Sequence, residues 1–281
     1  MRVESILAEA GAALVAVGIH NGRQEACWLL AHVLAHLPPE CSPCTGGSDL
    51  AAEAEARFQA LLLRRVGGEP LQYVMGSAEF YGLELAVGPG VLAPRPETER
   101  LVDFALEMTP GEGAMCDLCT GSGAIALALA HERGHPERVW ATDISSIALE
   151  YARSNAARLG LPIHLVQGDL FTPLPEGQRF ALITANPPYV TPAEYDDLPP
   201  EVRDYEPKLA LWADDAGLAV LRRIATESAP WLAPGAWVLC EIGSEQGEAA
   251  RGIFAAAGFV GIEIRQDYTQ RDRVVVARWH A

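Results

Sequence analysis

The sequence predicts an α/β protein: an open, mainly parallel sheet wrapped by helices, preceded by a small N-terminal helical domain and a β-hairpin linker. Three observations carry this. Short apolar runs of strand length recur from about residue 100 onward, at 114–118, 139–141, 163–166, 180–185, 236–241, 260–264 and 274–277. Helical spacings fill most of the gaps between them, as at 124–131 and 146–159, and such alternation is the pattern of βαβ units. The residues before about 75 carry helical periodicity instead. The implied division is a helical domain over 1–75, a linker over 76–98 and the α/β domain over 99–281.

In the first segment Val3, Ile6, Leu7, Ala10, Leu14 and Val17 recur at helical spacing, and Gly18 ends the run. Asn21 with Gln24 three residues later resembles a capping box for a second helix, with Trp28, Leu29, Val33 and Leu37 facing inward until Pro38 and Pro39 stop it. After a loop over 38–48, Asp49 is placed to cap a third helix running to Leu63. In the linker, Phe80, Leu83, Leu85 and Val87 lie in a strand-like stretch that turns at Gly88-Pro89-Gly90. Pro96 and the neighbouring acids then suit the first turn of another helix.

The whole-chain composition narrows the function classes. At 281 residues the chain accommodates a small domain beside a larger one, and 49% hydrophobic content argues against wholesale disorder. The net charge of −16 argues against naked DNA or RNA as a partner, since a nucleic-acid binder needs a basic stripe. No apolar run reaches the roughly 18 residues of a membrane span. Glu4 and Glu9 interrupt residues 1–19 as a signal peptide, so the expected location is the cytoplasm. Six cysteines give two CxxC spacings, Cys41–Cys44 and Cys116–Cys119. Cys116 falls in a strand and Cys119 in a glycine-rich turn, so no metal site is expected and reduced thiols are.

The chemistry-bearing residues start where the first strand of the larger domain meets its helix, in Asp117-Leu118-Cys119-Thr120-Gly121-Ser122-Gly123. Glycines there let the backbone approach a ligand beside the positive end of a helix. Asp143 follows the second strand, where a carboxylate can accept from two ribose hydroxyls. The pattern from Gly121 to Ala126 fits a nicotinamide dinucleotide as well as S-adenosylmethionine. Asp117 favours the second, because a carboxylate before the turn suits an ammonium rather than a pyrophosphate. Asp169 ends the third strand, where it could take an adenine amino group while Leu170 packs on the ring; alone it equally fits a turn aspartate.

Asn186-Pro187-Pro188-Tyr189 directly follows the fourth strand, on the side of an open α/β sheet where ligands bind. Its two prolines make a stiff loop. The Asn186 side-chain carbonyl and the Pro187 backbone carbonyl can both accept from one NH₂ group, and Tyr189 offers a flat face to a planar amide or base. An amide nitrogen is a poor nucleophile. Two fixed acceptors would orient it and stabilise the positive charge that develops on it.

That motif resembles the signature of class I methyltransferases acting on amino groups in planar systems. With Pro70-Leu71-Gln72-Tyr73, Phe80-Tyr81-Gly82, Pro94 through Glu99, Asp117 through Gly123, Glu206-Pro207 with Ala210-Leu211, Glu241-Ile242-Gly243 with Gln246, and Arg273-Val274-Val275 in order, the chain resembles the peptide chain release factor glutamine methyltransferases, the HemK/PrmC family. The resemblance implies a seven-stranded Rossmann-like domain, S-adenosylmethionine as cofactor, and methylation of the glutamine amide nitrogen in a release factor's Gly-Gly-Gln loop. It implies that the N-terminal helices help seat the release factor. Carried over by motif, Cys119 to Gly123, Asp143, Leu170 and Asn186 contact the cofactor, joined here by Asp117 and Asp169. Asn186, Pro187, Pro188 and Tyr189 hold the glutamine, and Pro94 to Glu99, with Arg95 and Glu97 toward the substrate, line the same pocket.

Two departures stand out. Cys119 occupies a position where the family commonly has glycine, and Leu211 through Gly217 is less glycine-rich than usual. Three rival readings remain in view: an adenine methyltransferase on nucleic acid, which −16 opposes; a nicotinamide dehydrogenase, which leaves Asn186 to Tyr189 without a purpose; and a non-catalytic adaptor.

Overall fold

The computed structural model describes residues 3–36, 50–109 and 113–280. Cys41, Cys44, Leu37, Pro38, Pro39 and Asp49, and the loop expected over 38–48, lie outside them. The chain divides into two compact units, Met1–Gly76 with Pro200–Tyr205, and Ser77–Pro199 with Glu206–Ala281.

The first unit packs α1 (Val3–Ala16), α2 (Gly22–Ala35), α3 (Ala52–Val66) and the short α4 (Leu71–Met75) around Ile6, Leu14, Leu29, Val33, Phe58 and Leu62. Gly22 permits the close approach of α1 and α2: a Cβ there would lie 2.6 Å from the Gly11 carbonyl oxygen. Three expectations need correction. Val17 lies past the end of α1 and is exposed, and Trp28 is 45% exposed rather than inward. Asn21 does occupy the N-cap of α2 but makes no side-chain cap bond, because its φ of −95° and ψ of 27° are not the extended backbone that aims a capping side chain. Helix α3 starts from Ala51, also without a side-chain cap.

Residues 200–205, expected to belong wholly to the larger domain, join the helical unit through polar contacts. Arg65, 4% exposed, bonds Glu25 at 2.6 Å, Glu201 at 2.5 Å and the Glu69 carbonyl at 3.1 Å. The Tyr205 hydroxyl donates to the Gly67 carbonyl at 3.0 Å.

The second unit begins with the hairpin β1 (Ser77–Phe80) and β2 (Leu83–Ala86), whose turn lies at Tyr81–Gly82, followed by α5 (Glu99–Met108). The sheet strands are β3 (Met115–Leu118), β4 (Val139–Asp143), β5 (His164–Gln167), β6 (Phe180–Ala185), β7 (Leu232–Glu241), β8 (Val260–Gln266) and β9 (Asp272–Arg278). Their order is β5-β4-β3-β6-β7-β9-β8, with parallel pairing from β5 through β7 and β9 antiparallel to both β7 and β8. Helices α6 (Ala124–Arg133) and α7 (Ser146–Leu159) connect β3 to β4 and β4 to β5.

Both faces of the sheet are covered, and strand alternation assigns each residue its side. Cys116, Ile183, Val238, Cys240 and Val275 pack with Ile224 and Phe254 on one face. Met115, Leu182, Leu239, Val274 and Val276 pack with Leu101, Ile125 and Leu129 on the other. The chain begins the sheet at β3, runs outward to β5, then returns to place β6 on the other side of β3. That reversal opens a crevice at the carboxyl ends of β3 and β6, the place where open α/β sheets bind ligands.

The buried Arg65 cluster gives the first testable consequence. Arg65→Ala strands the Glu25 charge in the helical core, so the unit should lose about 3–5 kcal/mol of unfolding free energy in urea titration. A Glu25→Gln/Arg65→Met double variant should recover more than half of that loss.

Candidate active site

The glycine turn leaves β3 at the crevice. Cys119, Gly121 and Gly123 all have positive φ, at 56°, 58° and 84°. The backbone at Cys119 is left-handed, a region in which a side chain is strained and glycine is not. Asp117 is 1% exposed; one oxygen accepts from the Thr120 hydroxyl at 2.6 Å, the other from the Thr184 hydroxyl on β6 at 2.8 Å. Burial pushes its carboxyl up to about 7 against the pull of those two hydroxyls. Asp143, at the end of β4, accepts from the Gly121 N–H and the Ser145 N–H, each at 2.8 Å, and burial raises its pKa. Asn155 on α7 is fully buried and donates to the Ser122 and Ala86 carbonyls while accepting from the Ala86 N–H, which braces the turn against the hairpin.

The second edge of the site is the loop leaving β6. Asn186 donates through Nδ2 to the Thr98 hydroxyl oxygen at 3.4 Å, and Thr98 donates to Glu241 Oε2 at 2.7 Å. The Tyr189 hydroxyl donates to Glu241 Oε1 at 3.1 Å. Glu241 ends β7, is 1% exposed, and is pushed up to about 7 by burial, opposed by Thr98, Arg273 and Tyr189. The Tyr189 phenol is raised by burial and by the Glu241 charge.

Downstream, Gln246 ties the loop's exit. Its Nε2 donates to the Tyr189 and Ala216 carbonyls, both at 3.1 Å, and its Oε1 accepts from the Gly243 N–H. Asp215, Ala216 and Gly217 form a left-handed turn, with φ of 55°, 54° and 78°. A Cβ on Gly217 would lie 2.0 Å from the Tyr189 carbonyl oxygen, so glycine is required there. At Asp215 and Ala216 the chain instead keeps side chains in strained backbone, held by Gln246 and by the Arg222–Asp215 ion pair at 2.9 Å. This is the stretch that departs from the usual glycine-rich pattern.

Between the two edges lies a cavity of about 310 Å³, within the range of small-molecule sites. Its wall includes Cys119, Thr120, Gly121, Ser122, Asp143, Asp169, Leu170, Asn186, Pro188 and Arg95. Ile144, Leu170 and Val220 give it apolar surface suited to a planar ring. Asp117, Gly123, Pro187, Tyr189 and Glu97, expected at the same site, are not part of that wall. Asp117 accepts from the Thr120 and Thr184 hydroxyls just beneath the turn and braces it. Gly123 has a packing role: a Cβ there would lie 3.1 Å from Leu127 and 3.3 Å from Ala152. Asp169 is paired with Arg223, both oxygens 3.0 Å from Nη1, and Arg95 is paired with the buried Glu206. Leu170 is buried with a φ of 48°.

Sequence reasoning missed Thr184, placed Thr98 at the pocket only as part of the Pro94 to Glu99 motif, and gave no role to Glu206, Glu241, Arg273 or Gln246. Several of these stood in the quoted motifs, but nothing local says that an acid ending an apolar strand supports a loop from another strand. Among the described residues no cluster of three or more His, Cys, Asp or Glu could hold a metal, and no helix is long and apolar enough to cross a membrane.

The family model for the PrmC N-terminal domain matches residues 5–76, and that for the methyltransferase small domain matches residues 98–198. A release factor glutamine methyltransferase of Vibrio cholerae is 41% identical over 280 residues, covering 99% of this chain and 96% of that one. Another, from Geobacter sulfurreducens, is 40% identical over 261 residues, covering 93% and 91%. Among solved structures, a methyltransferase from Pyrococcus furiosus shares the fold at a TM-score of 0.53 and 16% identity, covering 82% of this chain and 100% of that one. With such identity sustained over nearly its full length, the chain belongs to the release factor glutamine methyltransferase family.

Proposed function

We propose that this chain transfers a methyl group from S-adenosylmethionine to the side-chain amide nitrogen of the glutamine in the Gly-Gly-Gln motif of peptide chain release factors. The observation that carries the reading is the orientation of Asn186. Its NH₂ is engaged by Thr98, while its carbonyl oxygen makes no hydrogen bond with the described residues and the side chain lines the cavity. An unengaged acceptor next to the Pro187 carbonyl suits a partner that brings an NH₂ group.

Cys119, Thr120, Gly121, Ser122, Asp143, Asp169 and Leu170 would hold the cofactor, with Asp143 toward the ribose and Leu170 against the adenine. When bound, the cofactor supplies a methyl on a positively charged sulfur, already activated to leave. The chain's own task is placement. Asn186 Oδ1 and the Pro187 carbonyl accept the two N–H bonds of the substrate amide, aim its nitrogen lone pair into the cavity, and stabilise positive charge as it develops. Pro188 and Tyr189 stiffen and flank that loop, and Arg95 and Glu97 sit on the segment beside it. In this reading residues 1–75 seat the release factor, and a translation factor as substrate places the reaction in the cytoplasm. The net charge of −16 supports a protein rather than a nucleic-acid substrate.

Transfer of labelled methyl groups, measured in parallel on a release factor, tRNA and duplex DNA, tests the reading. Label should enter the release factor alone; label in nucleic acid and none in the protein would overturn it. Asn186→Ala should lower kcat roughly 100- to 1,000-fold while calorimetry shows a cofactor Kd within about threefold of wild type. Asp143→Ala should weaken cofactor binding by about 10- to 100-fold, the worth of hydrogen bonds to a charged acceptor. An unchanged Kd there would remove Asp143 from the ribose.

A further inference from the structure

We propose that Thr98 and Glu241 are positioning residues that decide which end of the Asn186 amide faces the substrate. The inference rests on the reading of Asn186 as an acceptor for the substrate NH₂.

The argument is one of proton direction along a short chain. A threonine hydroxyl has one proton to give, and an ionised carboxylate can only accept. Thr98, 3% exposed, commits its proton to Glu241 Oε2 at 2.7 Å, leaving only lone pairs toward Asn186. Of the two ends of the Asn186 amide, only the NH₂ can meet those lone pairs, as it does at 3.4 Å. The carbonyl oxygen is thereby turned away from Thr98 and kept unengaged. A flipped amide would set oxygen against oxygen at Thr98 and offer the substrate's NH₂ a second NH₂, with no acceptor between them.

Glu241 also takes the Tyr189 hydroxyl at 3.1 Å, so a single carboxylate supports the first and last residues of the catalytic loop. The groups acting on it come from separate elements: Thr98 and Glu97 from the turn before α5, Tyr189 from the loop after β6, and Arg273 from β9. Arg273 favours the ionised form and Glu97 opposes it. Burial holds the Glu241 carboxyl up at about 7, so the form that fixes the proton direction prevails above that pH and is lost as pH falls through it. Protonated Glu241 can donate to Thr98, which frees the Thr98 proton to point at Asn186 and removes the preference.

The test compares Thr98→Val, which keeps the shape and deletes the hydroxyl, with Thr98→Ser, which restores the hydroxyl on a smaller side chain. Both are assayed with wild type on a release factor, with the cofactor Kd measured in parallel. Thr98→Val should lose on the order of 10- to 100-fold in kcat with a cofactor Kd within about threefold of wild type, and Thr98→Ser should recover most of that loss. Glu241→Met, which removes the acceptor for the Thr98 proton, should show a similar fall in kcat well above pH 7, where the wild-type carboxyl is ionised. Wild-type kcat in the valine variant would overturn the inference. So would a valine variant whose cofactor binding fails together with kcat, or a serine variant that does not rescue, since either marks a merely structural hydroxyl. A wild type that transfers nothing to the release factor fails differently, by removing the functional reading itself.

Discussion

Asp117 sits at the end of the central strand β3 with almost no solvent contact, and its two oxygens reach in different directions. One takes the hydroxyl of Thr120 in the glycine turn; the other takes the hydroxyl of Thr184 on β6, two residues before Asn186. The glycine turn after β3 and the Asn186 loop after β6 are thus anchored to the same carboxylate. A buried polar group left unpaired is costly, so these bonds hold the two edges in register more firmly than apolar packing alone would. The sheet topology supplies the other half of the constraint, because only at the reversal between β3 and β6 do two strand ends open onto a common crevice.

The outer supports follow the same logic of fixing dipoles before a ligand arrives. Asp143 holds the Gly121 and Ser145 amides, Asn155 holds the Ser122 carbonyl, and Gln246 holds the Tyr189 carbonyl. Apart from the local Asp143–Ser145 bond, each spans elements distant in sequence and restrains a segment that would otherwise be an exposed connector. The chain accepts backbone strain at Cys119 and Leu170 in the cavity wall, and at Asp215 and Ala216, where Gln246 ties their turn to the Tyr189 carbonyl. Tyr81 and Gln270, the other two non-glycine residues with positive φ among the described residues, sit instead in the β1–β2 and β8–β9 turns.

Much of this was legible in the sequence. Apolar runs located all seven sheet strands, and at 180–185 and 146–159 the expected limits of β6 and α7 coincide with those observed, because both segments are strongly periodic and cleanly punctuated. The glycine turn and the Asn-Pro-Pro-Tyr loop were legible for a different reason: glycine and proline restrict backbone so strongly that their spacing carries geometry. What could not be read were long-range hydrogen-bond partners. Thr98, Thr184 and Glu241 look like ordinary helix-start and strand residues until the fold brings them together, and the brace between Asp117 and Thr184 joins residues 67 positions apart. Trp28 fits the inward stripe of α2 by spacing and is nonetheless 45% exposed, since periodicity assigns a face but not how far the neighbouring helices cover it.

The central claim is that the crevice presents two fixed acceptors to a primary amide, and fragmentation mass spectrometry of a release factor after incubation with this protein and S-adenosylmethionine tests it most directly. The account predicts one added methyl, localised to the side-chain amide nitrogen of the Gly-Gly-Gln glutamine and absent when that residue is replaced by glutamate. A methyl mapped to any other atom of the factor, or retained on the glutamate-substituted factor, would contradict it.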